Sequence, residues 1–241
     1  MRINFPLLSA LSLTAMCIGC NANRNCRQDL FSANARDGKN VYVESEFASL
    51  KRVVLAESQL IIPTHMDENT LKVFTPESAA IAQANPGRDF KDAFPEMQKQ
   101  WELERENLKD VLEKYKVEVL RPRRLTEYEK QLGADDGCSN FFARDPFFTI
   151  GNFIIEGSLR YKHRRNEVLP LRSILEKAAS ESGAIYVAVP RADISEGADS
   201  EAGPFLEGGD VLVLGKTVFV GISGQATNEK GYLWLKKNSG P

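Results

Sequence analysis

The chain has 241 residues, of which 42% are hydrophobic and 27% are charged, and its formal net charge is -2 at pH 7. This is the composition of a globular protein that is long enough for one large domain or two small ones. Positive and negative side chains alternate along the sequence, which indicates a mixed, solvated surface and not a face for binding a polyanion. We therefore expect no nucleic-acid partner.

The first 22 residues have the pattern of an export signal. Arg2 precedes an apolar run over residues 5–18, and the sequence becomes polar at Asn21. A charged start, a short apolar centre and a polar continuation are typical of a secretory signal. The run is too short and too interrupted to predict a stable membrane span.

The processing of this leader has several interpretations. The segment from Cys17 to Cys20 would be a degenerate lipoprotein cleavage box, cleavage after Ala22 is the second possibility, and a mis-assigned start or a disordered extension is the third. Residues 23–40 are polar and predict a linker, so the folded domain would cover residues 41–241. The protein would be exported or lipid-anchored if the leader is real, and cytoplasmic otherwise.

The cysteines and histidines give no metal-binding pattern. Three of the four cysteines fall in the N-terminal segment, and only Cys138 lies in the body of the chain. His65 and His163 stand in unrelated contexts. Because the body of the chain has only one cysteine, it cannot supply paired Cys-x-x-Cys spacing, and we expect no disulfide framework, no metal site and no cofactor.

The first half of the domain predicts a mixture of strands and helix. Runs rich in β-branched residues at 41–43 and 50–55 predict two strands, and a proline-containing loop over 56–90 follows. Apolar residues at spacings of three, four and seven then predict an amphipathic helix over 92–116. A short strand over 117–120 closes this part.

The second half repeats the order of two strands, a helix and a strand. The predicted elements are a strand pair over 147–155, a helix over 168–178, a strand over 184–189 and a hairpin over 211–220. A last helix would be capped by Thr227 or Asn228. The chain is therefore α/β, and the recurrence indicates an internal structural repeat.

Two acidic residues each adjoin a strand that is predicted to be buried. Asp145 precedes Pro146 at the start of one strand pair, and Glu207 precedes Gly208 and Gly209 at the mouth of the hairpin. Carboxylates at strand ends can converge in one cleft, and glycines allow close backbone approach. Such a pair suits a guanidinium, whose forked N–H groups match bidentate acceptors. Either residue alone is also typical of a surface turn or a salt-bridged strand end.

The two acidic motifs belong to a longer series that spans residues 41–241. Its members are the segments 140–145, 150–152, 207–210 and 227–228, with Ser223, Gly231 and Trp234. This combination resembles the guanidino-group-modifying superfamily, and the amidinotransferases above all. Other members are arginine deiminase and dimethylarginine dimethylaminohydrolase. The resemblance implies a pentein-type α/β propeller of five ββαβ units, of which about three would be present here.

The resemblance also implies a chemistry. In the family, a cysteine attacks the guanidinium carbon, a histidine acts as acid and base, and two acidic residues hold the guanidinium nitrogens. By resemblance, Asp145 and Glu207 are those two acidic residues. Arg164 matches a basic residue that grips the substrate's own carboxylate in the hydrolases, and the alternative is one exposed charge of the basic cluster at 160–165.

The family's catalytic histidine and cysteine have no match in this sequence. His65 and His163 precede Glu207, whereas the family histidine follows it, and nothing near Cys138 in sequence would lower its pKa. Cys138 is therefore predicted to be a packed core thiol. We expect no catalytic residue, and a truncated amidinotransferase-like chain that binds a guanidino compound such as L-arginine but is inactive alone.

The subclass stays open at this point. Deiminases usually carry an arginine in the segment that corresponds to 223–227, and its absence here favours transfer of an amidino group to an amine acceptor. The Glu207-Gly208-Gly209 turn is more like that of the hydrolases. An exported, non-catalytic guanidinium-binding protein and a non-functional gene product are further interpretations, and no oligomeric state is predicted.

Overall fold

The computed structural model describes residues 15–17, 41–66, 68, 71, 74–197 and 199–238. The predicted leader and linker lie outside these ranges, apart from Ala15–Cys17. Within them, no helix combines the length and the apolar character needed to cross a bilayer.

The described residues form a mixed α/β fold of short strands. The strands are β1 (Ala15–Cys17), β2 (Arg52–Val54), β3 (Gln59–Ile61), β4 (Glu118–Leu120), β5 (Cys138–Asn140), β6 (Phe147–Ile150), β7 (Phe153–Glu156), β8 (Ile185–Ala188), β9 (Val211–Leu214) and β10 (Thr217–Gly221). The helices are α1 (Pro76–Ala84), α2 (Phe90–Ala93), α3 (Pro95–Lys114), α4 (Glu127–Leu132), α5 (Arg172–Ser182) and α6 (Glu229–Asn238). Short 3-10 helices cover Lys162–Arg164 and Gly208–Asp210.

Strands β6 to β8 and helix α5 form one ββαβ unit. The antiparallel hairpin of β6 and β7 turns at Gly151, whose φ of +54° suits glycine. After α5 the chain returns parallel to β7, with Phe153 opposite Ile185. The predicted strand pair and closing strand are confirmed. The helix begins at Arg172 and not at 168, because residues 165–171 form turns and the residue before Pro170 is disfavoured in the helical region.

The other strands pair in smaller sheets. β2 is parallel to β4, β3 is antiparallel to β5, and β9 and β10 form the predicted hairpin, with β1 on the outer edge of β10. Helix α6 follows this hairpin, and it is capped at Asn228, one of the two predicted residues. The order of two strands and a helix thus recurs in the described chain.

Three predictions for the first half are corrected. Residues 41–43 were predicted as a strand, but they contribute only an isolated bridge between Val43 and Gly151. The region 56–90 contains β3 and α1, although it was predicted as a loop. Helix α1 begins with Thr75 as N-cap and Pro76 at its first position. This is a typical helix start, but Pro76 was interpreted as one of the prolines of a loop. The helix predicted over 92–116 is interrupted at Phe94, because the residue before Pro95 is disfavoured in the helical region.

The core lies on both sides of β7. Ile155 packs into a cluster formed with Phe148, Val189, Leu206, Val211, Val220, Tyr232 and Leu235. Its neighbour Ile154 points to the opposite face of the sheet, into a cluster with Val168, Leu171 and Leu175 of helix α5 and the turn before it. A strand buried on both faces is a rigid support for the residues beside it.

Candidate functional site

The segment that carries Glu207 lies against the segment that carries Asp145. Ser158 and Leu206 exchange two backbone hydrogen bonds of 3.0 Å, which align the chain after β7 with the approach to Glu207. The Gly208 amide donates to the Asp145 carbonyl across 3.0 Å. The two acidic residues, 62 positions apart in sequence (207 minus 145), are therefore neighbours.

The two glycines after Glu207 are required by close packing. A Cβ atom on Gly208 would collide with the carbonyl oxygen of Arg144, and one on Gly209 would lie 2.5 Å from Asp145 Oδ1. Neither glycine has a positive φ, so the close approach, and not backbone conformation, is the reason for glycine here.

Helix α6 holds the Glu207 segment from behind. Asn228 Oδ1 accepts from the amides of Phe205 and Gly231 at 3.0 and 2.9 Å, so the same side chain caps α6 and binds the segment that leads to Glu207. Thr227 Oγ1 accepts from the Glu207 amide at 3.1 Å. A Cβ atom on Gly231 would collide with the Phe205 carbonyl, which explains a glycine inside this helix.

The guanidinium of Arg164 lies between the two acidic side chains. Its Nη2 donates to Asp145 Oδ2 at 2.8 Å, and its Nη1 donates to Glu207 Oε2 at 3.3 Å. Its Nε and Nη2 also donate to Glu167, at 3.1 Å to Oε1 and 2.9 Å to Oε2. We call Asp145, Arg164, Glu167 and Glu207 the carboxylate cluster.

The carboxylate cluster is largely buried. The side chains of Glu167, Glu207 and Arg164 are 1%, 7% and 16% exposed, so the alternative that Arg164 is an exposed surface charge is wrong. Arg164 Cζ lies over the Phe142 ring, 5.2 Å from the ring centroid, which is a cation–π contact. Glu167 Oε1 also accepts from Ser139 Oγ at 3.1 Å.

Burial controls the titration of the cluster. It raises the pKa of Glu207 to about 7, although the Arg164 charge opposes this rise, and it raises the pKa of Glu167 as well. Burial works against the charge of Arg164 too, but Glu167, Glu207 and Asp145 together raise its pKa above the usual value. Arg164 therefore stays charged, while Glu207 changes protonation near neutrality.

The charges and hydrogen bonds of the cluster are incomplete. One guanidinium faces three carboxyl groups. Among the described residues, Glu207 Oε1 is buried and has no hydrogen-bond partner, and the bond from Arg164 to Asp145 uses Oδ2. A buried acceptor without a donor costs free energy, and an added donor would recover that cost.

Glu167 was missed by the sequence prediction. It follows Arg164 by three residues and precedes the apolar segment 168–171, which is a signal for a charged side chain held at the edge of the core. A carboxylate that is almost fully buried requires a partner, and Arg164 is that partner.

Cys138 has the environment of an inert core thiol, as predicted. It lies in β5, is buried, and its Sγ is 3.8 Å from the Glu129 carbonyl. Burial, with the negative charges of Glu129 and Asp89, raises its pKa to about 12. The thiolate is the reactive form, and its fraction at neutral pH is therefore negligible.

The histidines lie in other settings. His65 lines a depression of about 640 Å³ that includes Lys162, Arg165 and Asp193 but none of the carboxylate cluster. His163 stacks on the Tyr161 ring at 5.9 Å. In the part of the chain that the structure covers, no group of three or more His, Cys, Asp or Glu side chains could hold a metal ion.

Two solved structures have the same fold. An inosamine-phosphate amidinotransferase of Streptomyces griseus superposes with a TM-score of 0.64 at 19% identity, over 83% of this chain and 60% of the other. An amidinotransferase of the saxitoxin biosynthetic pathway from Microseira wollei superposes with a TM-score of 0.56 at 22% identity, over 83% and 61%. The chain thus spans about 60% of the length of these relatives.

The sequence matches a family model. The model described as arginine deiminase covers residues 79–232, which include the whole carboxylate cluster and the Asn228 cap. The chain therefore belongs to the arginine deiminase family, within the guanidino-group-modifying superfamily that its motifs resemble. No curated protein sequence matches it.

Proposed function

We propose that this chain binds the guanidino group of a small molecule such as L-arginine, with Asp145 and Glu207 as the acceptors of the guanidinium N–H groups. One observation carries the proposal. The chain's own Arg164 guanidinium already bonds to one oxygen of each carboxylate, at 2.8 and 3.3 Å, so their separation and orientation suit this chemical group.

The reaction that would use this site is amidino transfer. A cysteine thiolate would add to the guanidinium carbon, ornithine would leave, and an amine acceptor would then displace the thiolate and carry away the amidino group. The fold shared with two amidinotransferases supports transfer. The family model supports hydrolysis to citrulline, in which ammonia and not ornithine would leave the guanidinium carbon and water would then displace the thiolate.

We assign the binding of the guanidinium, and not the covalent step, to the described residues. Cys138 is unsuited to attack a guanidinium carbon because its thiol stays protonated at neutral pH. This observation favours a second candidate function, guanidinium binding without catalysis. Incubation of the purified chain with L-arginine and glycine distinguishes the two functions, since only an active enzyme would form ornithine or citrulline.

We further propose that residues 41–241 form part of a pentein-type propeller. The ββαβ unit of β6, β7, α5 and β8 has the strand order of one propeller blade, and β9, β10 and α6 would begin the next. Asp145 and Glu207 stand at the start of these two units, which is consistent with a site at the centre of the propeller.

Calorimetric titration of the full chain with L-arginine tests the proposed function. At pH 8 we expect binding by the wild type and a loss of affinity of at least about tenfold, or ~1.4 kcal/mol, for both Asp145→Asn and Glu207→Gln, since each removes one charged acceptor. Asp193→Asn is the control, because this exposed acid lies outside the cluster. A folded wild type that does not bind L-arginine, or two cluster variants that bind it normally, would refute the proposal.

A further inference from the structure

We infer that Arg164 and Glu167 are a positioning pair: Arg164 stays in place during binding, and the ligand guanidinium bonds beside it, to Asp145 Oδ1 and Glu207 Oε1. The inference rests on the proposed function and names the arrangement of the ligand in that site. It also predicts how substitution of Arg164 changes ligand affinity. That prediction differs from the ones expected if Arg164 blocks the site, or if it grips the ligand's carboxylate.

Glu167 holds Arg164 firmly. The two side chains form a forked pair, from Nε to Oε1 at 3.1 Å and from Nη2 to Oε2 at 2.9 Å. Removal of Arg164 from the cluster would leave the Glu167 carboxylate buried without a cation, because its other bond comes from the uncharged Ser139 hydroxyl. An uncompensated buried charge is costly, so a ligand would gain little by displacing Arg164.

Arg164 in turn orients the two acceptors. It uses Oδ2 of Asp145 and Oε2 of Glu207, and these bonds limit the rotation of both carboxylates. The second oxygen of Glu207 is buried without a partner among the described residues. The bond from Arg164 leaves the other oxygen of Asp145 unused, and this Oδ1 lies beside Gly209, where an added Cβ atom would come within 2.5 Å of it.

The charge balance favours an added cation. Arg164 supplies one positive charge to Asp145, Glu167 and Glu207, and the Asp210 carboxylate lies near enough to raise the pKa of Glu207 further. A second guanidinium would compensate the remaining negative charge and donate to the two unused oxygens. The Asp145 side chain, 23% exposed, is where the cluster opens to solvent.

Calorimetry of Arg164→Gln with two ligands tests the inference. Agmatine has the guanidinium of L-arginine but no carboxylate, so comparison of the two ligands isolates the guanidinium site. We expect Arg164→Gln to weaken the binding of agmatine and of L-arginine alike, by at least about tenfold. The pH midpoint of agmatine binding should also move upward, because loss of the Arg164 charge leaves the pKa of Glu207 higher still.

Each other outcome has a definite meaning. Tighter binding of agmatine by Arg164→Gln would show that Arg164 blocks the site, and a loss confined to L-arginine would show that it grips the ligand's carboxylate. Either result overturns the inference and leaves the proposed function standing. A folded wild type that binds neither ligand overturns both.

Arg172→Gln is the matched control. Arg172 forms an equivalent fork with the buried Glu156, at 3.1 and 2.6 Å, outside the carboxylate cluster. Its loss should lower stability but leave both affinities and the pH midpoint unchanged. A general effect of removing any buried ion pair would change them in this variant too, and would overturn the inference.

Nitrogen NMR supplies a test in which agmatine binding is measured on the wild type, and a variant is needed only to assign one signal. The Arg164 Nε–H signal, assigned by its loss in Arg164→Lys, reports the bond to Glu167. We expect the signal to shift but persist, with slow hydrogen exchange, at saturating agmatine. Loss of its protection would show that Arg164 is displaced, and would overturn the inference.

Discussion

Glu207 shows how one buried carboxyl group makes stability and binding depend on pH in opposite directions. Its pKa is raised by burial to about 7, from about 4.5 in an unfolded chain. Between these values the folded state holds more protons than the unfolded state. The contribution of Glu207 to stability therefore falls as the pH rises through this range, while the ionised form that a cation needs becomes populated.

Urea unfolding at pH 5 and pH 8 tests this assignment. We expect the difference in free energy of unfolding between the wild type and Glu207→Gln to fall by about 2 to 3 kcal/mol over this interval, because glutamine does not titrate. Asp193→Asn again serves as the control, since this side chain is exposed. An unchanged difference between the wild type and Glu207→Gln would mean that the Glu207 carboxyl group is ionised in the folded state at pH 5.

Arg164 marks a limit of prediction at the scale of the residue. Motif resemblance identified it, along with Asp145 and Glu207, but the role that the resemblance gives it, gripping the substrate's carboxylate, stays a prediction. Its contacts with Glu167 and both acceptors depend on side-chain positions that sequence spacing does not specify.

At the scale of elements, the Gly208-Gly209 turn determines how closely the hairpin approaches Asp145. The sequence motif predicted that another group approaches this turn closely. In the structure, the groups that do so are the Arg144 carbonyl and the Asp145 side chain. An added side chain at this turn would act on the acceptor itself, because the nearest atom to a Cβ on Gly209 is Asp145 Oδ1.

Gly209→Ala is therefore expected to reduce L-arginine affinity by at least about tenfold at a small cost in stability, because the Asp145 carboxylate must turn away from a Cβ at 2.5 Å. Calorimetry and urea unfolding give the two quantities. Gly215→Ala is the matched control. Its φ of +59° makes alanine unfavourable by about 1 kcal/mol, but among the described residues no atom beyond its chain neighbours lies within 4 Å of an added Cβ. Equal loss of affinity in both variants would contradict the prediction.

Element prediction succeeded where the local signal agreed with the fold. The hairpins β6–β7 and β9–β10 have β-branched strands and glycine turns, so local preference and tertiary pairing coincide. It failed in the region 56–90, where β3 is only three residues long and pairs with β5, far away in sequence. A strand of this length is stabilised by its partner and leaves little periodic signal.

At the scale of the whole molecule, Asn228 connects two parts that together support the site. Its side chain caps α6 and binds the backbone of Phe205, a fully buried residue two positions before Glu207. Its backbone amide also donates to the Phe205 carbonyl at 3.1 Å. These bonds hold helix α6 and the segment that leads to Glu207 together.

Asn228→Ala should lower the free energy of unfolding by about 2 to 4 kcal/mol, because the buried amides of Phe205 and Gly231 would lose their acceptor. Urea unfolding measures this loss. Asn238→Ala is the control, since this exposed side chain donates to the Trp234 carbonyl at 2.7 Å within its own helix and should change stability by less than about 1 kcal/mol. A similar effect of the two substitutions would argue against the connecting role of Asn228.

The order of the amino acids was enough to predict the α/β class, the ββαβ order, the family and the two acidic residues at strand ends. These follow from local periodicity, turn chemistry and motifs, which are properties of neighbouring residues. The folded arrangement was needed to show that Arg164 lies between Asp145 and Glu207, that Glu167 holds it there, and that Glu207 Oε1 has no donor among the described residues. The physical reason is that burial and charge pairing depend on which side chains the fold brings together from distant parts of the chain.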